Sequence, residues 1–186
     1  MNDAIDRQLE ELIETAGRLK ALMPLVAAAG LEIKQALQAG RKLLTCGNGG
    51  SAADALHLAE ELVGRFDQER PSLPAIALCA DPTLLTCIGN DYGFDRLFSR
   101  QIEGLGQPGD VLVLFTTSGN SNNLMFALQA AKAKGVKTIA LLGKTGGKVR
   151  GLADIEIIVP SANTARIQEL HTFILHNWLS IIESDL

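Results

Sequence analysis

Two stretches of the sequence carry backbone and side chains suited to holding a small anion. Cys46-Gly47-Asn48-Gly49-Gly50-Ser51 places three glycines and a serine between an apolar run and a helical pattern. Glycine allows positive φ and close backbone approach. A helix start offers free N–H groups and a partial positive charge. A plain glycine turn capped by Ser51 has the same composition. Thr116-Thr117-Ser118-Gly119-Asn120-Ser121 follows the run Val111–Phe115 and packs four hydroxyls into six residues. Such a loop can bind a phosphate without lysine or arginine, although a simple Ser/Thr turn is also built this way. Two such loops after two strands favour a shared anionic ligand over two unrelated turns.

His57 and Glu61 stand four apart in the helical pattern after the first loop, so they share a face. A histidine and a carboxylate so placed can bind a metal or move protons; a core histidine beside a solvated carboxylate is the plainer alternative. Glu60 is expected to point away, into solvent. The last helical pattern carries Gln168, Glu169, His171 and His176. Gln168 and His176 are separated by ~12 Å of helix rise. They can meet at one ion only if both lean inward or if different subunits contribute. His171 has no evident partner, and packing or a buried hydrogen bond is its expected role. No G-x-x-x-x-G-K-[ST] exists, because Gly143-Lys144-Thr145-Gly146-Gly147-Lys148 has the wrong spacing. Gly47-x-Gly49-x-x-Ala52 loosely matches a dinucleotide fingerprint, but Asp81 lies beyond the usual ~20-residue offset.

These groups need a scaffold. Apolar runs at Lys42–Cys46, Ala75–Leu78, Val111–Phe115, Thr138–Leu142 and Ile155–Val159 read as strands. Segments near 51–64, 94–104, 121–134 and 164–183 read as helices. Consecutive apolar residues suit strands buried on both faces, and alternation with helices predicts an α/β, doubly wound, mainly parallel five-stranded sheet. Ligands of such sheets bind beyond the carboxyl ends of the strands, where both loops fall. Before the first strand, Leu9, Leu12, Ile13, Ala16, Leu19 and Met23 recur at helical spacing. A second helix is expected from about Leu25 to Gln38, with Pro24 ending the first or starting the second. The apolar stripe either covers the domain's own sheet or forms one side of a subunit bundle, the second reading being preferred.

The 186 residues, 47% hydrophobic and 20% charged, suit one domain with a full core. A net charge of −4 argues against a nucleic-acid coat. The charge-free stretch from Val111 to Ala131 is interrupted by the polar Thr116–Asn123, so no membrane span is expected. The N-terminus lacks a basic region followed by an apolar one, so no signal peptide is expected and a cytoplasmic location is. Cys46, Cys79 and Cys87 lie in apolar segments without C-x-x-C spacing and read as reduced, packed thiols.

The glycine loop, His57-x-x-x-Glu61, Arg70-Pro71, Gly89-Asn90-Asp91-Tyr92-Gly93, the Thr-Ser-Gly-Asn-Ser loop and Arg166-Ile167-Gln168-Glu169 occur in that order. Together they resemble the bacterial phosphoheptose isomerases of the sugar isomerase (SIS) fold, nearly end to end. The resemblance implies one SIS domain over residues 1–186, residues 1–39 being helices used in oligomerisation, and a homotetramer. It implies conversion of sedoheptulose 7-phosphate to D-glycero-D-manno-heptose 7-phosphate through an enediol, for lipopolysaccharide-type heptose. The implied metal is zinc, one per subunit, on His57, Glu61, Gln168 and His176. The implied substrate contacts are Asn48, Gly49, Gly50, Ser51, Glu61, Asn90, Asp91, Thr116, Thr117, Ser118, Ser121 and Gln168. Glu61 and His176 would be catalytic. Thr116 replaces a serine of many relatives and keeps the hydroxyl; Ala165 replaces an aspartate of some. A non-enzymatic relative that binds the replication initiator protein is the alternative; it lacks counterparts of Glu61 and His176.

Overall fold

The computed structural model describes residues 2–184. Five strands form one parallel sheet: β1 (Leu43–Gly47), β2 (Ala75–Ala77), β3 (Val111–Phe115), β4 (Lys137–Leu142) and β5 (Ile155–Ile158), in the order β2-β1-β3-β4-β5. From β1 the chain moves to one side for β2, then crosses to the other for β3. The strand order therefore reverses between β1 and β3, and their carboxyl ends flank the crevice where a doubly wound sheet takes its ligand.

Alternate residues of the strands serve two cores. Val111, Val113 and Phe115 of β3 face one cluster; Leu112 and Leu114 face the other. The first cluster lies under α2 (Met23–Gln38), α3 (Gly50–Val63) and α7 (Thr164–Glu183). The second lies under α4 (Pro82–Tyr92), α5 (Ser99–Leu105) and α6 (Asn122–Ala133). With apolar packing on both faces, the consecutive hydrophobic runs are accounted for. β3 has the expected bounds, and the other strands differ from theirs by a residue.

The expected helix over 94–104 is instead a 3-10 turn at Phe94–Arg96 followed by the short α5. Sequence reading passed over α4 entirely. Its start was nevertheless marked, because Asp81 accepts hydrogen bonds from the N–H groups of Thr83 and Leu84 and Pro82 occupies the first turn. Asp81 is thus a helix cap, which removes it from any ribose-binding role.

At the N-terminus, α1 (Asn2–Leu19) passes through a 3-10 turn into α2, and Pro24 sits in the first turn of α2. The buried Arg166 of α7 bonds the Gln8 carbonyl and its side-chain oxygen, both at 2.7 Å, and Asn163 donates to Glu11 at 2.8 Å. Leu19 is buried, but Ile5, Leu9 and Ile13 remain exposed. The stripe is therefore shared between the chain's own core and open surface. Gly30 lets α2 close on α7, because a Cβ there would stand 2.8 Å from the Trp178 ring. The Trp178 indole N–H donates to the Val26 carbonyl at 2.8 Å.

Candidate active site

Both loops leave from the ends of paired strands, with Gly47 of β1 opposite Phe115 of β3. The first loop enters α3 through Gly49, whose φ of 57° suits glycine. The second enters α6 through Ser121, whose side chain makes no cap bond. Where α4 and α7 spend Asp81 and Asn163 on their own first-turn N–H groups, the two helices at the crevice do not. Their N-termini keep their pull on an anion. Between them lies a cavity of about 160 Å³ lined by Asn48, Ser51, Phe115, Thr116, Thr117, Ser118, Ser121 and Gln168. A larger depression of about 590 Å³ lies at the opposite end of the sheet, beside Lys132, Lys137 and Asp154. It is on the wrong side of the strands for this fold's ligands.

The hydroxyl loop is braced from beneath. Thr116 Oγ1 accepts from the Gly119 N–H at 3.1 Å, and the Gly119 carbonyl accepts from Val149 at 2.9 Å. Asn120 Oδ1 accepts from Lys148 at 3.2 Å. Gly119 has φ 66°, and a Cβ on it would strike the Gly146 carbonyl. The segment Gly143–Lys148, with the wrong spacing for a P-loop, is the buttress of the hydroxyl loop.

A second feature is the wall between α3 and α7. Moving along both helices, the side chain of Gln168 packs on Gly50, where a Cβ would stand 2.5 Å from its Nε2. Thr172 Oγ1 then donates to Asp54 Oδ1 at 2.8 Å, and His176 Nε2 reaches His57 Nε2 at 3.5 Å. His57 Nε2 also lies 3.4 Å from Glu61 Oε1. The rungs follow helical spacing on both partners, so one face of α3 opposes one face of α7. Burial pushes the Asp54 carboxyl up, against the lowering effects of Thr172 and of the nearby His57. Phe66 stacks on the His176 ring at 5.4 Å between centroids and 23° between planes.

Sequence reasoning missed what fastens the far end of this wall. Glu183, buried at the end of α7, accepts from the N–H groups of Phe66, Asp67 and Gln68 at 2.9–3.0 Å and from Arg70 Nε at 3.0 Å. Arg70 in turn donates to the Glu61 carbonyl at 2.7 Å and the Leu62 carbonyl at 2.8 Å. The Arg70-Pro71 pair was visible in the sequence, but its partner lies 113 residues away. Glu60 is exposed as expected; even so, His57, Glu60 and Glu61 offer ligand atoms all within 4.8 Å of one another.

Not every expected site residue reaches the crevice. Asn90 and Asp91 are exposed at the end of α4, joined by an Asn90 Nδ2 to Asp91 Oδ1 hydrogen bond of 2.8 Å. Asp91 lines a separate depression with Cys87 and Arg100. Gln168 sits at the hydroxyl pocket, two turns from His176. His171 is fully buried, with Nε2 3.1 Å from the Leu142 carbonyl. Cys46 is buried but Cys87 is exposed, so the expectation of packed thiols fails at Cys87.

The SIS-domain family matches residues 5–143. The chain is 57% identical to a phosphoheptose isomerase of Nitratiruptor sp. over 149 residues, 80% of each chain. It is 50% identical to one of Geobacter sp. (strain M21), covering 100% of this chain and 97% of that protein. A solved phosphoheptose isomerase from Francisella tularensis superposes with a TM-score of 0.95 at 40% identity over 98% of both chains.

Proposed function

The chain belongs to the SIS-domain family and, within it, to the phosphoheptose isomerases, and on that premise we propose that it converts sedoheptulose 7-phosphate to D-glycero-D-manno-heptose 7-phosphate, for heptose polymers of the lipopolysaccharide type. The observation that carries this reading is the α3–α7 wall, with a neutral anion pocket at one end and histidines with a carboxylate at the other. Gln168 and His176 stand eight positions apart on α7, ~12 Å of rise. An extended seven-carbon phosphate ester spans about 10 Å at ~1.2 Å per bond. One molecule can hold its phosphate among the hydroxyls and reach the acid–base group with its first carbons.

In this reading Asn48, Gly49, Gly50, Ser51, Thr116, Thr117, Ser118 and Ser121 bind the phosphate end, and Gln168 contacts the chain. Glu61 takes a proton from carbon 1 of the ketose and returns it to carbon 2. His176 delivers a proton to the oxygen on carbon 2 as the enediol forms, and takes a proton back from the oxygen on carbon 1 as the enediol collapses to the aldose. The enediol lies between these transfers, and anchoring of the phosphate keeps the reacting carbons in register with both groups.

The residues also fit a divalent metal. Tetrahedral zinc with bonds of ~2.05 Å has ligand–ligand edges of about 3.3 Å, and His57 Nε2 stands 3.4 Å from Glu61 Oε1 and 3.5 Å from His176 Nε2. His57, Glu61 and His176 would hold one zinc per subunit; Gln168, expected as the fourth ligand, lies two turns away at the hydroxyl pocket of its own chain and would reach such an ion only from another subunit. When bound, such an ion polarises a carbonyl and stabilises a developing oxyanion. A carboxylate shared with a cation is a weaker base, so the two duties of Glu61 compete.

The exposed Ile5, Leu9 and Ile13 support assembly through α1, and a homotetramer is the proposed form. Asn90 and Asp91, outside the pocket of one chain, would join a site through that assembly. A phosphorylated substrate supports the expected cytoplasmic location. No described helix is long and apolar enough to cross a membrane. Glu61 and His176 favour an enzyme over the regulator that binds a replication initiator. The test is turnover of sedoheptulose 7-phosphate with and without a chelator, beside Glu61→Gln and His176→Gln. Near-normal turnover in both variants would overturn the assignment.

A further inference from the structure

The two loops of the hydroxyl pocket are tied together by a residue that no role above uses. Asn123, in the first turn of α6, is 1% exposed. Its Nδ2 donates to Asn48 Oδ1 at 2.9 Å, and Asn48 Nδ2 donates to Asn123 Oδ1 at 3.0 Å. Two planar amides thus close a ring of two hydrogen bonds across the gap between the loop after β1 and the loop after β3. Each amide spends one N–H and one lone pair on the ring, and Asn48 keeps a second of each for the cavity it lines. If Asn48 turned alone, N–H would face N–H and oxygen would face oxygen. Its orientation is therefore locked to that of a buried neighbour.

We propose that Asn123 is a positioning residue for the phosphate end of the substrate. It fixes the direction of the Asn48 amide and sets the width of the crevice between the two loops. This rests on the reading of the cavity as a phosphate site. Among the described residues of this chain no lysine or arginine lines that cavity, so what the chain itself offers a dianion is oriented dipoles, whose aim decides the affinity. The effect of Asn123 should accordingly appear in binding and much less in the chemical step.

Five proteins decide it: the wild type, Asn48→Ala, Asn123→Ala, the double variant, and Asn123→Asp. For each, kcat and KM for sedoheptulose 7-phosphate are measured, with the Kd for inorganic phosphate by calorimetry and the thermal midpoint as a check of folding. Asn123→Ala should raise KM and the phosphate Kd about tenfold, with kcat within about threefold of wild type. The double variant should bind no worse than Asn48→Ala, because the two residues act as one unit. Asn123→Asp keeps the shape but sets a carboxylate oxygen against Asn48 Oδ1, and should weaken phosphate binding at least as much. The proposal is overturned if a folded Asn123 variant keeps KM and Kd within about twofold of wild type. It is also overturned if the two alanine effects simply multiply. Should Asn123→Ala not fold, Asn123→Asp decides by the same criterion. A wild type that binds phosphate but does not turn over the sugar would defeat the isomerase reading and leave the phosphate Kd to judge Asn123.

Discussion

Replacing Glu183 by glutamine should loosen the far end of the α3–α7 wall. Burial alone would push the Glu183 carboxyl up. The backbone N–H groups of Gln68, Asp67 and Phe66, together with Arg70, outweigh it and bring the value from 4.5 down to about 2. A displacement of about 2.5 pH units, at ~1.36 kcal/mol each, corresponds to about 3 kcal/mol of stability near neutrality. Breaking one partner of a buried ion pair costs about 3–5 kcal/mol by a separate line of reasoning, which agrees. Glutamine keeps the shape but loses the charge and one acceptor oxygen, so Arg70 and part of the 66–68 turn go unsatisfied. The sign follows from the lowered value. The stabilisation is complete above about pH 4.5 and drains away as pH falls toward 2. Urea unfolding at one fixed protein concentration should show Glu183→Gln less stable by about 2–4 kcal/mol at pH 7. The gap to wild type should narrow between pH 4.5 and 3. A difference under about 0.5 kcal/mol at pH 7, or a gap that stays constant down to pH 3, would refute the reasoning. Because the tethered turn carries Phe66, which stacks on His176, the variant should also lose kcat.

Three further outcomes are expected. Gly50→Ala places a methyl where the Gln168 amide now rests; it should cut turnover at least several-fold while lowering the thermal midpoint little, since a side-chain end can move aside, and unchanged kinetics would refute this. Burial pushes the His171 imidazole down to about 4 despite its bond to the Leu142 carbonyl. The neutral ring therefore costs the wild type about 3 kcal/mol on acidification from pH 6.5 to 4. His171→Gln should flatten that part of the stability profile, and an equal acid slope in both proteins would contradict the claim. Leu9→Asp with Ile13→Asp places charge on the exposed stripe of α1 and should shift the mass seen by light scattering toward smaller species; an unchanged mass would rule this stripe out as an assembly surface.

Much of the scaffold was readable from local pattern. Burial on both faces made β3 continuous in apolar residues and β1 and β4 nearly so, and helical spacing marked α1, α2, α3 and α7. Glycine at Gly47, Gly49 and Gly50 and hydroxyls at 116–121 announced the two loops because their demands are local: positive φ, small volume, donors at a helix start. The helix α4 escaped because its interior mixes threonine, cysteine and glycine, and only its Asp-Pro start carried a signal. The Glu183–Arg70 clasp and the Asn48–Asn123 ring escaped because each joins residues far apart in the chain, where neither partner alone has a distinguishing neighbourhood.

Side-chain chemistry and order along the chain are properties of the sequence, and from them came the parallel sheet, the anion loops and the pairing of His57 with Glu61 on one helix face. Distances across the fold are not. Only packing of α3 against α7 brought His176 to His57, left Gln168 at the hydroxyl pocket two turns away, and held Asn90 and Asp91 outside the crevice. Helical and strand periods are set by backbone geometry within a few residues, whereas the meeting of two helices depends on the whole core that wedges them together.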